Sequence, residues 1–251
     1  MGNKRTVIIT GGTKGIGASI AQAFHKEGYH ILIGARHDNE LVKELGDRAL
    51  FFPLDVTNPT HLKEIVQKAI KWSGQLDVFV NNAGFSEWMP LEQINEEFWQ
   101  RMLDTNLKSV LFGCQAAVSE LKAGGAIINV SSIAGKRGTS NNSVYCASKF
   151  GVNGITQALA KELGAKGIRV NAVCPVLVKT EGLVDALNGK YSPAQGKSVD
   201  KFLADFIQGN SALGRLPTGS EVAALCLFLA SDKASAITGQ CINVDCGVLP
   251  Q

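Results

Sequence analysis

Tyr145 and Lys149 stand four residues apart in the run Tyr-Cys-Ala-Ser-Lys, which opens an apolar helical stretch reaching about Leu163. On a helix, residues i and i+4 lie one above the other on the same face, so the lysine cation can stabilise the phenolate of the tyrosine. That makes Tyr145 a candidate acid. The same spacing also occurs along the edge of any amphipathic helix, so the pair takes its meaning from the chemistry around it.

A second group with chemical content lies near the N-terminus. The β-branched run Thr6 to Thr10 leads into Gly11, Gly12, Thr13, Lys14, Gly15, Ile16 and Gly17, and a helical pattern follows through Phe24 to about Gly28. A strand ending in glycines that open a helix lets backbone N–H groups and the helix N-terminus meet a diphosphate, with Gly11 making the turn and Gly17 allowing close packing of helix on strand. An ordinary βα turn also uses glycine, but the strand before and the helix after supply the context of a dinucleotide site. The next apolar run, His30 to Gly34, ends at Ala35-Arg36. Roughly 20 residues beyond the glycines an acidic side chain would take a ribose 2′-hydroxyl. Arg36 and Lys14 could instead embrace a 2′-phosphate, so NADP(H) is the expected cofactor and NAD(H) the alternative. Asp38 is a possible acidic substitute, yet its place just before Leu41 to Leu45 reads as a helix N-cap.

These groups need a frame to hold them, and the rest of the chain supplies an alternation of short strands and helices. Leu50 to Leu54 reads as a strand ending at Asp55, Thr60 to Trp72 as a helix, and Leu76 to Val80 as a strand ending in Asn81-Asn82-Ala83-Gly84. Phe98 to Leu121 reads as one long helix, Ala126 to Val130 as a strand ending in Ser131-Ser132, and Arg169 to Val173 as a strand closing at Cys174-Pro175. Ser220 to Ala230 and Cys241 to Val244 give a last helix and strand. Continuous apolar strands alternating with helices imply a parallel sheet covered on both faces. The expected fold is therefore α/β: a single doubly wound, Rossmann-like domain over residues 1–251, with about seven parallel strands and helices on both faces. Residues 177–213 break the rhythm with Asn188, Gly189, Pro193, Gly196 and Gly209 around a helical pattern from Phe202 to Ile207, and read as a substrate lid.

Composition narrows the function classes. The chain has 251 residues, 45% of them hydrophobic, and its 25 basic and 22 acidic residues are interspersed, for a net charge of +3. No basic stripe or aromatic-basic interleaving supports nucleic-acid binding. Cys114, Cys146, Cys174, Cys226, Cys241 and Cys246 form no C-x-x-C pair and read as reduced thiols, four of them in apparent core runs. The four histidines show no ligand spacing, so no metal site is expected. Nor is there an apolar leader after Met1 or an uninterrupted apolar run of about 18 residues, which leads to the expectation of a soluble, cytoplasmic protein with no membrane partner.

Taken together, these features resemble the short-chain dehydrogenase/reductase family over nearly the whole chain. The resemblance is carried by Thr10-Gly11-x-x-x-Gly15-x-Gly17, Asp55, Asn81-Asn82-Ala83-Gly84, Asn106, Ser132, Tyr145-x-x-x-Lys149, and the stretch from Asn171 through Pro175 to Thr180. It implies that Tyr145 is the general acid in reduction and the general base in oxidation. It implies that Ser132 orients the substrate carbonyl while Ser131 is structural, that Lys149 holds the nicotinamide ribose and lowers the tyrosine pKa, and that Asn106 helps hold a relay water. A phenol near pKa 10 must be drawn toward neutrality to exchange protons efficiently, and positive charge from Lys149 and an oxidised nicotinamide would do this. The implied cofactor contacts are Gly11, Thr13, Lys14, Gly15, Ile16, Gly17, Arg36, Asp55, Val56, Asn82, Ala83, Gly84, Tyr145, Lys149, Pro175, Val178 and Thr180. Asp55 would take the adenine amino group, and Asn81 to Gly84 would stabilise the sheet and flank the adenosine.

Two positions depart from the family pattern: Pro175 is followed by Val176 in place of glycine, and the late Val-Asp-Gly-Gly reads Val244-Asp245-Cys246-Gly247. The leading expectation is an NADP(H)-dependent ketoreductase acting on a small carbonyl or secondary alcohol. The alternatives are an NAD-dependent alcohol or sugar dehydrogenase and a 3-oxoacyl-carrier-protein reductase. The latter is weakened by the long lid and by the run Leu121 to Gly125, where only Lys122 could greet an acidic carrier. A protein that binds NADPH without turnover is opposed by the intact set Asn106, Ser132, Tyr145 and Lys149. Phe85, Trp88, Ile133, Asn142, Val176, Leu177 and lid residues are the candidate pocket lining. The apolar helix from Tyr145 and the one before it carry more apolar surface than one sheet face covers, so a homo-oligomer, tetramer or dimer, is expected.

Overall fold

Short apolar strands without a polar face are stable only when covered on both sides, and the computed structural model, which describes residues 5–250, has that arrangement. Met1, Gly2, Asn3, Lys4 and Gln251, which the single-domain reading also spans, lie outside the described residues. The strands are β1 (Thr6–Thr10), β2 (His30–Ala35), β3 (Ala49–Pro53), β4 (Leu76–Asn81), β5 (Leu121–Val130), β6 (Arg169–Pro175) and β7 (Cys241–Val244). They pair in parallel throughout, in the order β3-β2-β1-β4-β5-β6-β7. The helices are α1 (Gly15–Lys26), α2 (Glu40–Leu45), α3 (Pro59–Ser73), α4 (Glu96–Leu103), α5 (Ser109–Val118), α6 (Ser143–Gly164), α7 (Glu181–Leu187), α8 (Val199–Asn210) and α9 (Gly219–Ala230).

Successive side chains along each strand enter opposite cores. Val7, Ile9, Ile31, Ile33, Val78, Val80, Ile128 and Val130 join Ile20 and Phe24 of α1 and Val222, Cys226 and Leu229 of α9. Ile8, Leu32, Phe79 and Ile127 join Leu62 and Ile65 of α3, Val110 and Cys114 of α5, and Val152 and Leu163 of α6. The period-2 alternation of strand side chains therefore decides which helix each residue meets.

Three local readings differ from the sequence-based expectation. The stretch Phe98 to Leu121 is not one helix: α4 and α5 are joined by a π turn at Asp104–Lys108, and Leu121 already belongs to β5, paired with Leu76. A π turn inserts a residue into the helical repeat and so redirects the side chains it carries. Here it holds Asn106, which is fully buried. The cap of α2 is Asn39, whose Oδ1 accepts from Leu41 N at 3.3 Å; Asp38 only accepts from Asn39 N at 2.8 Å, because the helix starts one residue later than its charge pattern suggests. Finally, the segment 177–213 contains two capped helices, α7 and α8, rather than one short helical pattern. Among the described residues no helix is long and apolar enough to cross a membrane, and no group of His, Cys, Asp or Glu could hold a metal ion.

Candidate active site

Strand order reverses between β1 and β4, so a crevice opens above their carboxyl ends, the place where doubly wound sheets bind ligands. Two side chains tie its floor together. Thr10 Oγ1 accepts from the N–H groups of Asn82 and Ala83, each at 3.0 Å, and donates to Val80 O at 3.4 Å. The Asn82 NH2 donates to the carbonyls of Thr10 and Gly11 at 2.9 and 3.0 Å. The chain approaches itself too closely here for side chains. A Cβ on Gly17 would lie 2.2 Å from Gly11 O, and one on Gly11, whose φ is +64°, would lie 3.0 Å from Ala83 Cα.

Above this floor α1 begins without a side-chain cap and without an acidic residue in its first turn. Asn39, Asn58, Asn95, Thr180, Ser198 and Thr218 each cap the helices they precede. The uncapped N–H groups and the positive end of the α1 dipole thus fit a diphosphate. Thr180, after β6, comes within 3.4 Å of the position a Gly15 Cβ would take, so the late stretch meets the glycine loop. Asn39 was not singled out in the sequence, yet its Nδ2 donates to Thr13 O at 2.7 Å. That bond ties the loop carrying Arg36 to the loop carrying Lys14; both cations are exposed. A polar residue at a helix start was the only signal for it, and such residues usually cap and do nothing more.

The remaining contacts expected for a cofactor are placed unevenly. Asp55 Oδ1 accepts from the Thr57 hydroxyl at 2.7 Å and the Thr57 N–H at 2.9 Å, and these bonds, with smaller help from His61 and Arg36, hold its carboxyl below the usual range. Val56 is partly buried against the α3 side of the core, Ile16 against the α1 side. Val178 packs into the core on the α1 side and also lines a cavity with Leu203, Ile207 and Leu216.

The chemical groups converge beside Gly84. A Cβ there would lie 3.0 Å from Asn106 Oδ1 and 3.8 Å from Lys149 Nζ, so the end of β4, the π turn and α6 meet at one point. Asn106 pairs with the backbone of Phe85 in both directions, Oδ1 accepting from N at 3.0 Å and Nδ2 donating to O at 2.7 Å. Lys149 is buried, donates to Val130 O at 3.0 Å, and stands 5.7 Å from the centre of the Tyr145 ring. It joins none of the ion pairs among the described residues. Burial lowers its pKa to about 8. A buried ammonium without a carboxylate is costly to a fold, which makes Lys149 a candidate for chemistry.

Tyr145 packs against Phe98, Met102 and Val144, and burial pushes its phenol up to about 12 against the pull of a hydrogen bond with Ser132. Desolvation outweighs that bond, and the same burial weakens the charge of Lys149, so any lowering of the phenol falls to the charge that an oxidised nicotinamide would bring. Ser132 Oγ accepts from Ala134 N at 3.1 Å and donates to Pro175 O at 3.4 Å. Its neighbour Ser131 is buried and donates to Lys149 O at 3.3 Å, a bond that steadies α6.

The departures from the family pattern are accommodated. Val176 turns its side chain into a cluster with Ile133 and Val248, while its N–H continues the ladder to Val244 O at 3.3 Å. Cys246 sits at φ 54°, in the left-handed region that favours the glycine usual there, so its side chain costs strain. Behind the site runs a polar network that escaped the sequence reading: Asn81 Nδ2 donates to Asn129 Oδ1, and Asn129 Nδ2 to Thr156 Oγ1, each at 2.9 Å.

Comparisons with known proteins place the chain in a family. A family profile described as enoyl-(acyl carrier protein) reductase matches residues 11–249. The chain is 37% identical to a 3-oxoacyl-[acyl-carrier-protein] reductase of Chlamydia muridarum over 97% of both proteins. It is 35% identical to an L-2,3-butanediol dehydrogenase of Corynebacterium glutamicum over 98% of both. Among solved structures, a variant actinorhodin polyketide ketoreductase with NADPH superposes with a TM-score of 0.89 at 31% identity, covering 98% of this chain and 97% of the other. The ligand-free aldohexose dehydrogenase of Thermoplasma acidophilum gives 0.87 at 31% identity, covering 99% and 98%. The chain belongs to the short-chain dehydrogenase/reductase family of oxidoreductases.

Proposed function

We propose that the protein is an NADP(H)-dependent ketoreductase, moving a hydride between nicotinamide and a carbonyl or secondary alcohol, with Tyr145 as general acid and base. The observation that carries this reading is the meeting of Asn106 and Lys149 beside Gly84, with the Tyr145 ring 5.7 Å from a buried lysine that no carboxylate neutralises. When bound, the cofactor supplies the hydride and, once oxidised, a positive charge beside the phenol. Ser132 orients the substrate carbonyl, and Tyr145 delivers its proton to the carbonyl oxygen. Lys149 holds the ribose hydroxyls with the donors that Val130 leaves free, and stabilises the phenolate that forms. Asn106, its carboxamide committed to Phe85, shapes the turn beside which the relay water is held.

NADP(H) is favoured because the end of β2 offers Ala35-Arg36 and no carboxylate, and because Asn39 draws the Arg36 and Lys14 loops together. A relative solved with NADPH adds support. The segment 177–213 acts as the lid, and Lys179, just after β6, ties its α8 to the strand end through Asp200 at 2.7 Å. A carrier-protein substrate gains nothing from Lys122, which sits exposed near the amino end of β5, away from the crevice. Leu111 of α5 and Phe150 of α6 are 42% and 49% exposed, which supports a homo-oligomer built on these helices. Six free cysteines, four of them buried, suit a reducing compartment such as the cytoplasm.

Replacing Tyr145 with phenylalanine removes the proton but keeps the ring, so turnover should fall by about a hundredfold to ten-thousandfold while cofactor binding persists. Retention of near-normal turnover would refute the assignment of the acid. The pH profile gives a second check, since kcat/KM reports groups of the free protein. With Lys149 held down to about 8 and Tyr145 up to about 12, the lysine is the first to lose its proton, so reduction should decline above about pH 8. Lys149→Arg, whose guanidinium stays charged, should move that decline to higher pH at a lower rate; an unshifted profile would contradict the role.

Cofactor choice is tested by kcat/KM with both nucleotides. Charge-assisted bonds to a 2′-phosphate are worth about 1.5–3 kcal/mol each, so NADP(H) should be preferred by roughly tenfold to a few hundredfold. Arg36→Ala and Lys14→Ala should each erode that preference. A wild type that favours NAD(H), or a preference indifferent to both substitutions, would overturn it.

A further inference from the structure

Asp55 stands just beyond the end of β3, on the rim formed by the carboxyl ends of the strands. The ladder runs one step past the strand, Leu54 N donating to Ala35 O at 2.9 Å, so Asp55 lies close enough to Arg36 to feel its charge. Even so, its carboxylate joins none of the ion pairs among the described residues. Thr57 occupies Oδ1 twice, through its hydroxyl and its N–H, while no hydrogen bond among the described residues reaches Oδ2. The turn that carries this carboxylate is tied at two further points. Asn58 N donates to Asp55 O at 3.2 Å, and Asp55 N donates to Nδ1 of His61, in the first turn of α3, at 3.4 Å. The tie to His61 is not needed for satisfaction. Asp55 is exposed, so water would serve its N–H, and α3 is already capped by Asn58, whose Oδ1 accepts from Thr60 N at 2.9 Å. What the imidazole adds is position, because it couples the turn to a helix whose next residues, Leu62 and Ile65, are fixed in the core.

We propose that His61 is a positioning residue for recognition of the cofactor's base: by pinning the backbone of Asp55 it keeps Oδ2 in place for the exocyclic amino group of adenine. The inference rests on the nicotinamide-cofactor reading above. With the diphosphate at the N-terminus of α1 and the ribose beside Arg36, the base comes next along the rim, at Asp55. An ionised carboxylate only accepts hydrogen bonds, and the amino group is the one donor on the adenine ring. Hypoxanthine carries a carbonyl at that position and would set oxygen against oxygen. Such discrimination requires a carboxylate that cannot swing aside, since a binding group must be held within about 0.5 Å of its productive position. Thr57 fixes the side chain of Asp55, and His61 fixes the backbone from which it springs. Because Nδ1 accepts this bond, the imidazole carries its proton on Nε2.

Fluorescence titration of NADPH and of its deaminated analogue, reduced nicotinamide hypoxanthine dinucleotide phosphate, compares the two bases directly. The wild type should bind NADPH about tenfold to a hundredfold more tightly than the analogue. His61→Leu, which keeps bulk but offers no acceptor, should shrink that ratio to within about threefold by weakening NADPH alone. His61→Asn, whose Oδ1 can take the place of Nδ1, should restore the wild-type ratio. An unchanged ratio in His61→Leu overturns the inference. So does an equal loss of affinity for both nucleotides, or a large fall in Tm, because the imidazole would then be structural. If His61→Leu does not fold, His61→Ala is judged by the same criteria, and failure of both to fold counts against the inference too. A wild type that binds both bases equally also overturns it, since Asp55 would not then read the base. If the wild type binds neither nucleotide, the cofactor reading is what fails, and the inference falls with it.

Discussion

The switch in strand order between the paired strands β1 and β4 is the constraint on which the rest of this structure depends. Their connections diverge because the strand order reverses there, and a divergence in a parallel sheet leaves strand-end N–H and C=O groups without ladder partners. Thr10 and Asn82 answer that need with one hydroxyl and one carboxamide. Each such bond is worth only about 0.5–1.5 kcal/mol net, but leaving the buried groups unpaired would cost more. The same bonds set the distance between the glycine loop and the end of β4, so one local solution fixes both the diphosphate cradle and the position of Gly84.

From Gly84 the chemistry follows by contact. Glycine there leaves room for Asn106 and Lys149 to approach from the π turn and from α6. The cost of burying Lys149 is met by the backbone: Val130 O accepts from its ammonium, and Ser131 holds its own carbonyl. Behind them, Asn81, Asn129 and Thr156 keep β4, β5 and α6 in register, with every member of the chain hydrogen-bonded. A network of this kind rigidifies a site when it is fully satisfied.

Much of this was legible in the sequence because the responsible signals are short-range. Strand runs such as Ile31 to Gly34, the glycines after Thr10, and the Tyr145–Lys149 spacing depend on neighbours a few residues away. The break at Asp104–Lys108 was not legible, since nothing in Asp-Thr-Asn-Leu-Lys opposes a continuous helix, and the π turn is imposed by the fit of Asn106 to Phe85. Nor was the second bond of Asn39, which depends on two loops 26 residues apart meeting in space. The burial of the Tyr145 phenol was also hidden: spacing reveals a cation one turn away but not the desolvation that raises the phenol against its bond with Ser132.

The central claim is that the glycine loop and the N-terminus of α1 form the cradle of a nicotinamide cofactor, and Gly17 is its narrowest point. Gly17→Ala would place a methyl group 2.2 Å from Gly11 O, forcing helix and loop apart. Titration of NADPH by its fluorescence, with far-UV circular dichroism to verify the fold, tests this directly. The account predicts a Kd raised tenfold or more, about 1.4 kcal/mol or greater, in a variant that keeps its secondary structure. NADPH binding as tight as in the wild type would contradict it.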